Sequence, residues 1–205
     1  MATDTLPANA PEFARRMVNV ADPRLGARAL ETSDEFFGAK ERMLDPAPPT
    51  FVPGKYDTHG KWMDGWVSRR KRVPGHDWCV VRLARATQLH GLEIDTRHFT
   101  GNFPPSASVE ACWLIDGDPD IETEWWTLLA QSDLAGDTRQ FFATEPERPC
   151  THLRLNIFPD GGIARLRAFG VPQFGNERAD ALGLYELSAA VSGGTIVASN
   201  NEHYG

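Results

Sequence analysis

The chain of 205 residues lacks any run approaching the roughly 18–20 consecutive apolar residues of a membrane span, which excludes a helix crossing a bilayer. Its N-terminus, MATDTLPANAPEFARR, has neither the basic start nor the apolar middle of a signal peptide, so a cytoplasmic protein is expected. Cysteine is scarce. Cys79, Cys112 and Cys150 are odd in number and widely spaced, with no CxxC or CxxH pattern, which excludes a disulfide framework and a zinc finger. The first two lie in apolar alternation and read as reduced packing residues. Positive charge is also short: 21 Lys and Arg against 28 Asp and Glu leave a net charge of -7. That balance excludes a general nucleic-acid binder, which needs a basic face to neutralise phosphates.

What is present is a globular composition, 41% hydrophobic and 24% charged, with 18 Gly and 15 Pro to make turns. Residues 1–16 are rich in Ala, Pro and Asn and are expected to form a loose arm. Ser33 is a candidate N-cap, followed by a short helical pattern in which Phe36/Met43 and Phe37/Leu44 recur at i,i+7, stopped by Asp45-Pro46-Ala47-Pro48-Pro49. From Cys79 the period changes to two. Cys79, Val81 and Leu83 alternate, then Leu92 and Ile94, then Ala107, Val109, Ala111 and Trp113, and later Leu153, Leu155 and Ile157. Leu166 and Ala168 continue the pattern, and Asp160-Gly161-Gly162 is expected to join the last two strands as a tight hairpin. Many short strands with almost no helix describe an all-β protein, a β-sandwich. No Cys-Trp-Cys spacing is present, so a jelly roll is favoured over an immunoglobulin arrangement.

Against the acidic whole, one stretch is locally basic. His59 to Trp78, HGKWMDGWVSRRKRVPGHDW, holds two histidines, two aspartates, Trp62, Trp66 and Trp78, and the run Arg69 to Arg72. A run of like charges repels itself unless an anion or a set of carboxylates lies opposite. A small anionic ligand and a solvated basic loop clamped by half-buried tryptophans are both consistent with it. The tail, Tyr185 to Gly205, can be laid over Val18 to Gly38 without gaps, with Gly26 meeting Gly193, Glu35 meeting Glu202 and Gly38 meeting Gly205. The expected organisation is an arm (1–16), one sandwich repeat (17–172), a linker (173–184) and the opening of a second repeat (185–205) that the chain does not complete.

These strings together resemble the allantoicase family, whose members hydrolyse allantoate to ureidoglycolate and urea. The resemblance is carried by Lys61-Trp62-Met63-Asp64-Gly65-Trp66, Arg69-Arg70-Lys71-Arg72, Gly75-His76-Asp77-Trp78, Asp95 with Phe99-Thr100-Gly101-Asn102, and Arg154-Leu155-Asn156-Ile157-Phe158-Pro159-Asp160-Gly161-Gly162. It implies a discoidin-like, galactose-binding-type jelly roll present twice in tandem, an allantoate substrate, a homo-oligomer, and no nucleic-acid or membrane partner. Allantoate carries one carboxylate and two ureido groups on a single carbon, so its site needs a fixed cation, amide-type partners and a proton carrier. For the carboxylate the candidates are Arg69 and Arg70, with Lys71 and Arg72 read as surface or sheet-edge charges. Asn102 and Asn156 offer a donor and an acceptor to a ureido group, and Trp66 and Asp160 are further binding candidates, the latter equally explained as a turn residue. The catalytic candidates are His76, Asp77, Asp64 and Asp95, with His98 beside them. The cofactor is unknown. A divalent metal is consistent with the resemblance, and Glu35, His76, Asp77, Asp95 and His98 could ligate it. The rival function is an inactive, truncated repeat that serves as a small-ligand binding or assembly module.

Overall fold

The longest strand, β6 (Asp77–Asp95), belongs to both layers of a sandwich in the computed structural model, which describes residues 4–173, 186 and 188–194. Its first half pairs with β10 (Cys150–Phe158) on one side and β2 (Arg28–Thr32) on the other. Beyond β10 lie β7 (Ser106–Cys112) and β8 (Trp126–Asp133). Its second half pairs with β12 (Arg165–Pro172) and β9 (Arg139–Ala143), with β1 (Val18–Asn19) outside β12. All these pairings are antiparallel, and the result is the jelly-roll β-sandwich expected from the strand pattern.

The sequence reads Cys79–Leu83 and Leu92–Ile94 as separate alternating runs because their parity differs, odd and then even. One added residue reconciles them. Leu89 lies opposite Gly170 and Gly91 opposite Phe169, which leaves His90 as a bulge in the β6–β12 ladder. A one-residue shift turns every following side chain to the other face, so Leu89, Leu92 and Ile94 all point inward with Cys79, Val81 and Leu83. They form one core with Val109, Leu153, Leu155, Ile157 and Leu166. Cys79 and Cys150 belong to it, all three cysteines are buried free thiols, and burial pushes each of them up, Cys112 to about 12.

Three local expectations are corrected. No helix starts at Ser33: its hydroxyl instead bonds Asp77 and the backbone N–H of Trp78, and only a 3-10 turn, Lys40–Leu44, forms before the prolines. Asp160-Gly161-Gly162 does not close a hairpin, because β10 and β12 pair with different halves of β6 and the turn carries the chain between layers. Finally, residues 4–16 are packed rather than loose. A helix, α1 (Glu12–Arg16), sets Phe13 against Phe141 and Phe169, in space left by Gly91, where a Cβ would come within 2.3 Å of the ring. Asp4 adds an ion pair to Arg97 at 3.0 Å. Most of the linker and of the second-repeat opening lies outside the described residues. A 3-10 turn, Ala190–Ser192, lies within them.

Candidate active site

Three loops meet at one end of the sandwich. They are the segment from β4 (Gly60–Lys61) through β5 (Trp66–Val67) to Lys71, the β6–β7 loop from His98 to Pro105, and the β10–β11 loop from Pro159 to Gly161. A short ribbon pins them, with β5 paired to β11 (Gly162–Ile163), Val67 opposite Gly162 and Trp66 opposite Ile163. Gly38 adds a bridge to Val67. Beneath the loops a second apolar cluster of Met63, Val67, Phe99 and Ala164, with Phe37 and Phe103 packed on it, forms a floor separate from the main core.

Above that floor is a cavity of about 580 Å³ whose polar lining includes Lys61, Ser68, Arg70, Lys71, His98, Asn102 and Asp160. Three fixed cations against one carboxylate give it a positive field suited to an anion. The carboxylate is itself engaged, since Asp160 Oδ2 accepts the backbone N–H of Lys71 at 2.8 Å and so ties two of the loops together. Lys71 Nζ reaches Asp77 Oδ1 at 2.5 Å. Arg70 has no carboxylate partner among the described residues, and the Asn102 side chain makes no hydrogen bond to any of them. The backbone carbonyl of Asn102 accepts Gly162 N–H at 2.8 Å.

Of the residues singled out from sequence, Arg70, Asn102 and Asp160 therefore share this hollow, together with His98. Arg69 lies next door. Its Nε is 2.6 Å from Asp34 Oδ2, in a groove that shares Phe37, Arg70 and Lys71 with the cavity and also contains Asp77. His76 and Asn156 go elsewhere, to a groove on the outer sheet face where Asn156 donates to Glu110 and Ser108 and the His76 ring packs at a tilt against Phe158.

The remaining candidates hold the structure together. Trp66 is fully buried in the core, with its indole N–H donated to the Asp34 carbonyl, and so has no surface to offer a ligand. Asp64 is bonded to Thr50 and, at 2.9 Å, to the fully buried Arg165. Burial alone would raise its carboxyl, but the Arg165 and Thr50 hydrogen bonds outweigh it and hold the group below the usual carboxylate range. Asp95 is fully buried and paired with Arg97 at 2.6 Å. Glu35 engages Lys40. Among the described residues the five metal-ligand candidates are not gathered together. The one cluster of three carboxylates there, Asp4, Glu93 and Asp95, faces Arg97, Arg139 and Arg167, and that balance of charge fits ion pairs better than a cation. Lys71, read from sequence as a surface or sheet-edge charge, lines the cavity instead, and Lys61 and Ser68 do so with no role assigned from sequence. Lys61 stood in plain view at the head of the KWMDGW string.

The family model described as Allantoicase repeat matches residues 18–173. Over 205 residues the chain is 54% identical to a probable allantoicase 1 of Burkholderia mallei (strain ATCC 23344) and 51% identical to a probable allantoicase of Ralstonia nicotianae (strain ATCC BAA-1114 / GMI1000). In both cases all of this chain and 61% of the relative are covered, so the chain spans about three fifths of the length of the curated relatives it matches. Among solved structures, one of an allantoicase superposes with a TM-score of 0.76 at 27% identity, over 94% of this chain and 59% of that one. The allantoicase of Saccharomyces cerevisiae gives 0.67 at 29%, over 78% and 51%. The module CBM32-3 from a family 31 glycoside hydrolase of Clostridium perfringens gives 0.55 at 12% identity, over 78% and 99%, a likeness of fold alone.

Proposed function

Because this chain belongs to the allantoicase family, we propose that its loop-built cationic cavity binds allantoate and hydrolyses it to ureidoglycolate and urea. The observation that carries the reading is the convergence of an uncommitted Arg70, Lys61, Lys71 and an uncommitted Asn102 carboxamide on one hollow with an apolar floor. A volume of about 580 Å³ lies within the range of small-molecule sites. In this reading Arg70 grips the substrate carboxylate through a two-pronged guanidinium contact, because its fork matches carboxylate geometry and no acid among the described residues competes for it. Asn102 offers both a donor and an acceptor, the pair that a ureido N–H and C=O require. Lys71, held by Asp77, supplies a second fixed charge whose position does not depend on the ligand.

The reaction belongs in the cytoplasm in this reading, which three buried, unpaired cysteines fit. Self-association of the chain belongs to it as well, supported by exposed Phe51, Val52, Tyr56 and Val73 around the same loops. The test is to incubate the purified chain with allantoate and measure urea and ureidoglycolate together. Equimolar release of both supports the proposal. Calorimetric binding of allantoate without any urea would leave a binding module, and neither binding nor release would remove allantoate as the ligand.

A further inference from the structure

We infer that His98 is the proton-transfer residue of this cavity and works through a single ring nitrogen, Nδ1. The inference rests on the allantoate reading above. Three observations lead to it. His98 is the one imidazole among the residues that line the cavity, where it shares the space with Lys61, Arg70, Lys71 and Asp160. Its backbone sits at φ 71°, a left-handed conformation disfavoured for any residue with a Cβ and most often retained where a site needs a side chain aimed in one direction. The brace that holds it there is specific: the carboxylate of Asp137, itself at φ 52°, accepts the His98 backbone N–H at 2.8 Å, and Asp137 N–H donates to the Phe99 carbonyl at 3.2 Å.

The third observation fixes the tautomer. Nε2 lies 3.1 Å from the carbonyl oxygen of Pro49, a buried residue, and a carbonyl can only accept. Nε2 therefore carries the proton, and Nδ1, which bonds to no described residue, carries the lone pair. The Phe51 ring lies roughly parallel to the imidazole, with centroids 6.1 Å apart.

Hydrolysis needs one proton moved at each of two steps. Nδ1 first takes the N–H proton of the ureido group that is retained, whose electron pair forms a C=N bond as the bond from the central carbon to the other ureido nitrogen breaks, and it hands that proton to the departing nitrogen to give urea. Water oxygen then bonds to the imine carbon, and Nδ1 takes the water proton and passes it to the imine nitrogen, so the residue ends as it began.

The experiment compares urea release by the full chain and its His98→Gln and His98→Ala variants across pH, with and without imidazole. Both variants should lose about 100- to 1,000-fold in kcat with KM within about threefold, and the limb of the pH profile due to His98 should vanish. Added imidazole should partly restore the alanine variant, which leaves a hole, and not the glutamine variant, which fills it. A glutamine variant within about twofold of wild type and with the same limb overturns the assignment. So does a ring 15N spectrum of the wild type in which His98 carries its proton on Nδ1. A wild type that releases no urea overturns the allantoate reading itself, and this assignment falls with it.

Discussion

Arg69 and Arg70 are neighbours in sequence with opposite electrostatic situations. Arg69 is spent on Asp34, and its guanidinium lies 5.2 Å from the Phe36 ring centre. Burial alone would raise the Asp34 carboxyl, but the N–H groups of Phe36 and Arg69 and the guanidinium outweigh it and hold it low. Arg70 has no acid among the described residues. Losing a charge-assisted hydrogen bond costs about 1.5–3 kcal/mol, so Arg70→Ala should raise KM for allantoate roughly 10- to 150-fold with little change in kcat. Arg69→Ala should change KM less than about threefold and cost about 1 kcal/mol of stability, since the Arg69 side chain is largely exposed and Asp34 keeps the backbone N–H groups of residues 36 and 69 as donors. Initial-rate kinetics on both variants decide it, and a larger KM effect at Arg69 would move the anchor there. The sequence displays the four basic residues but not that Arg69 is taken and Arg70 is not, because the acid that engages Arg69, Asp34, comes from far away in the chain. Trp66, Asp64 and Asp95 attracted attention for their chemistry, yet burial and committed partners are properties of the folded loops and leave no mark on local spacing. His98 was visible as a residue type only. Its left-handed backbone was not.

At the scale of elements, the alternation of apolar residues made the strands legible, and their antiparallel packing into a sandwich followed from strand number and the absence of helices. The partners of each strand were less legible. A turn as glycine-rich as Asp160-Gly161-Gly162 signals a reversal equally well whether the strands beside it pair with each other or with a third. Here the third is β6, long enough to serve both layers because the His90 bulge restores its inward face. The turn is where the site's loops are held, and Gly65 shows how tightly. A Cβ there would sit 2.3 Å from the Ile163 carbonyl oxygen, a backbone atom that cannot swing aside. Gly65→Ala should therefore force β5 and β11 apart, lower stability by about 1–3 kcal/mol and depress allantoate turnover more than that loss explains. Urea unfolding and activity on the same preparation provide the check, and wild-type values for both would show that the ribbon is not what positions the cavity loops.

For the molecule as a whole, the shifted groups fix how stability depends on pH. His152 is buried in β10 beside Arg82, and burial first, then that like charge, lower it below the ordinary histidine value of about 6.5, with Asp118 opposing. Above about pH 6.5 both folded and unfolded states hold it neutral and its contribution is complete. Below that the unfolded chain binds a proton the folded chain refuses, so stability declines. The carboxylates act lower. Asp34, Asp64 and Glu110 all lie below their ordinary values in the fold, because hydrogen bonds from arginines and neighbouring groups outweigh the burial that opposes them. Their contribution is complete above about pH 4.5 and is lost as pH falls through the unfolded and then the folded values. Unfolding free energy measured in urea from pH 7.5 to pH 3 should thus fall in two stages. His152→Gln should flatten the first stage and leave the second, whereas Asp64→Asn should do the reverse, even though each variant starts from a lower plateau. The slopes, not the plateaus, carry the information. A wild type and His152→Gln variant with equal slopes between pH 6.5 and pH 5 would mean that the buried imidazole takes up its proton as readily in the fold as out of it.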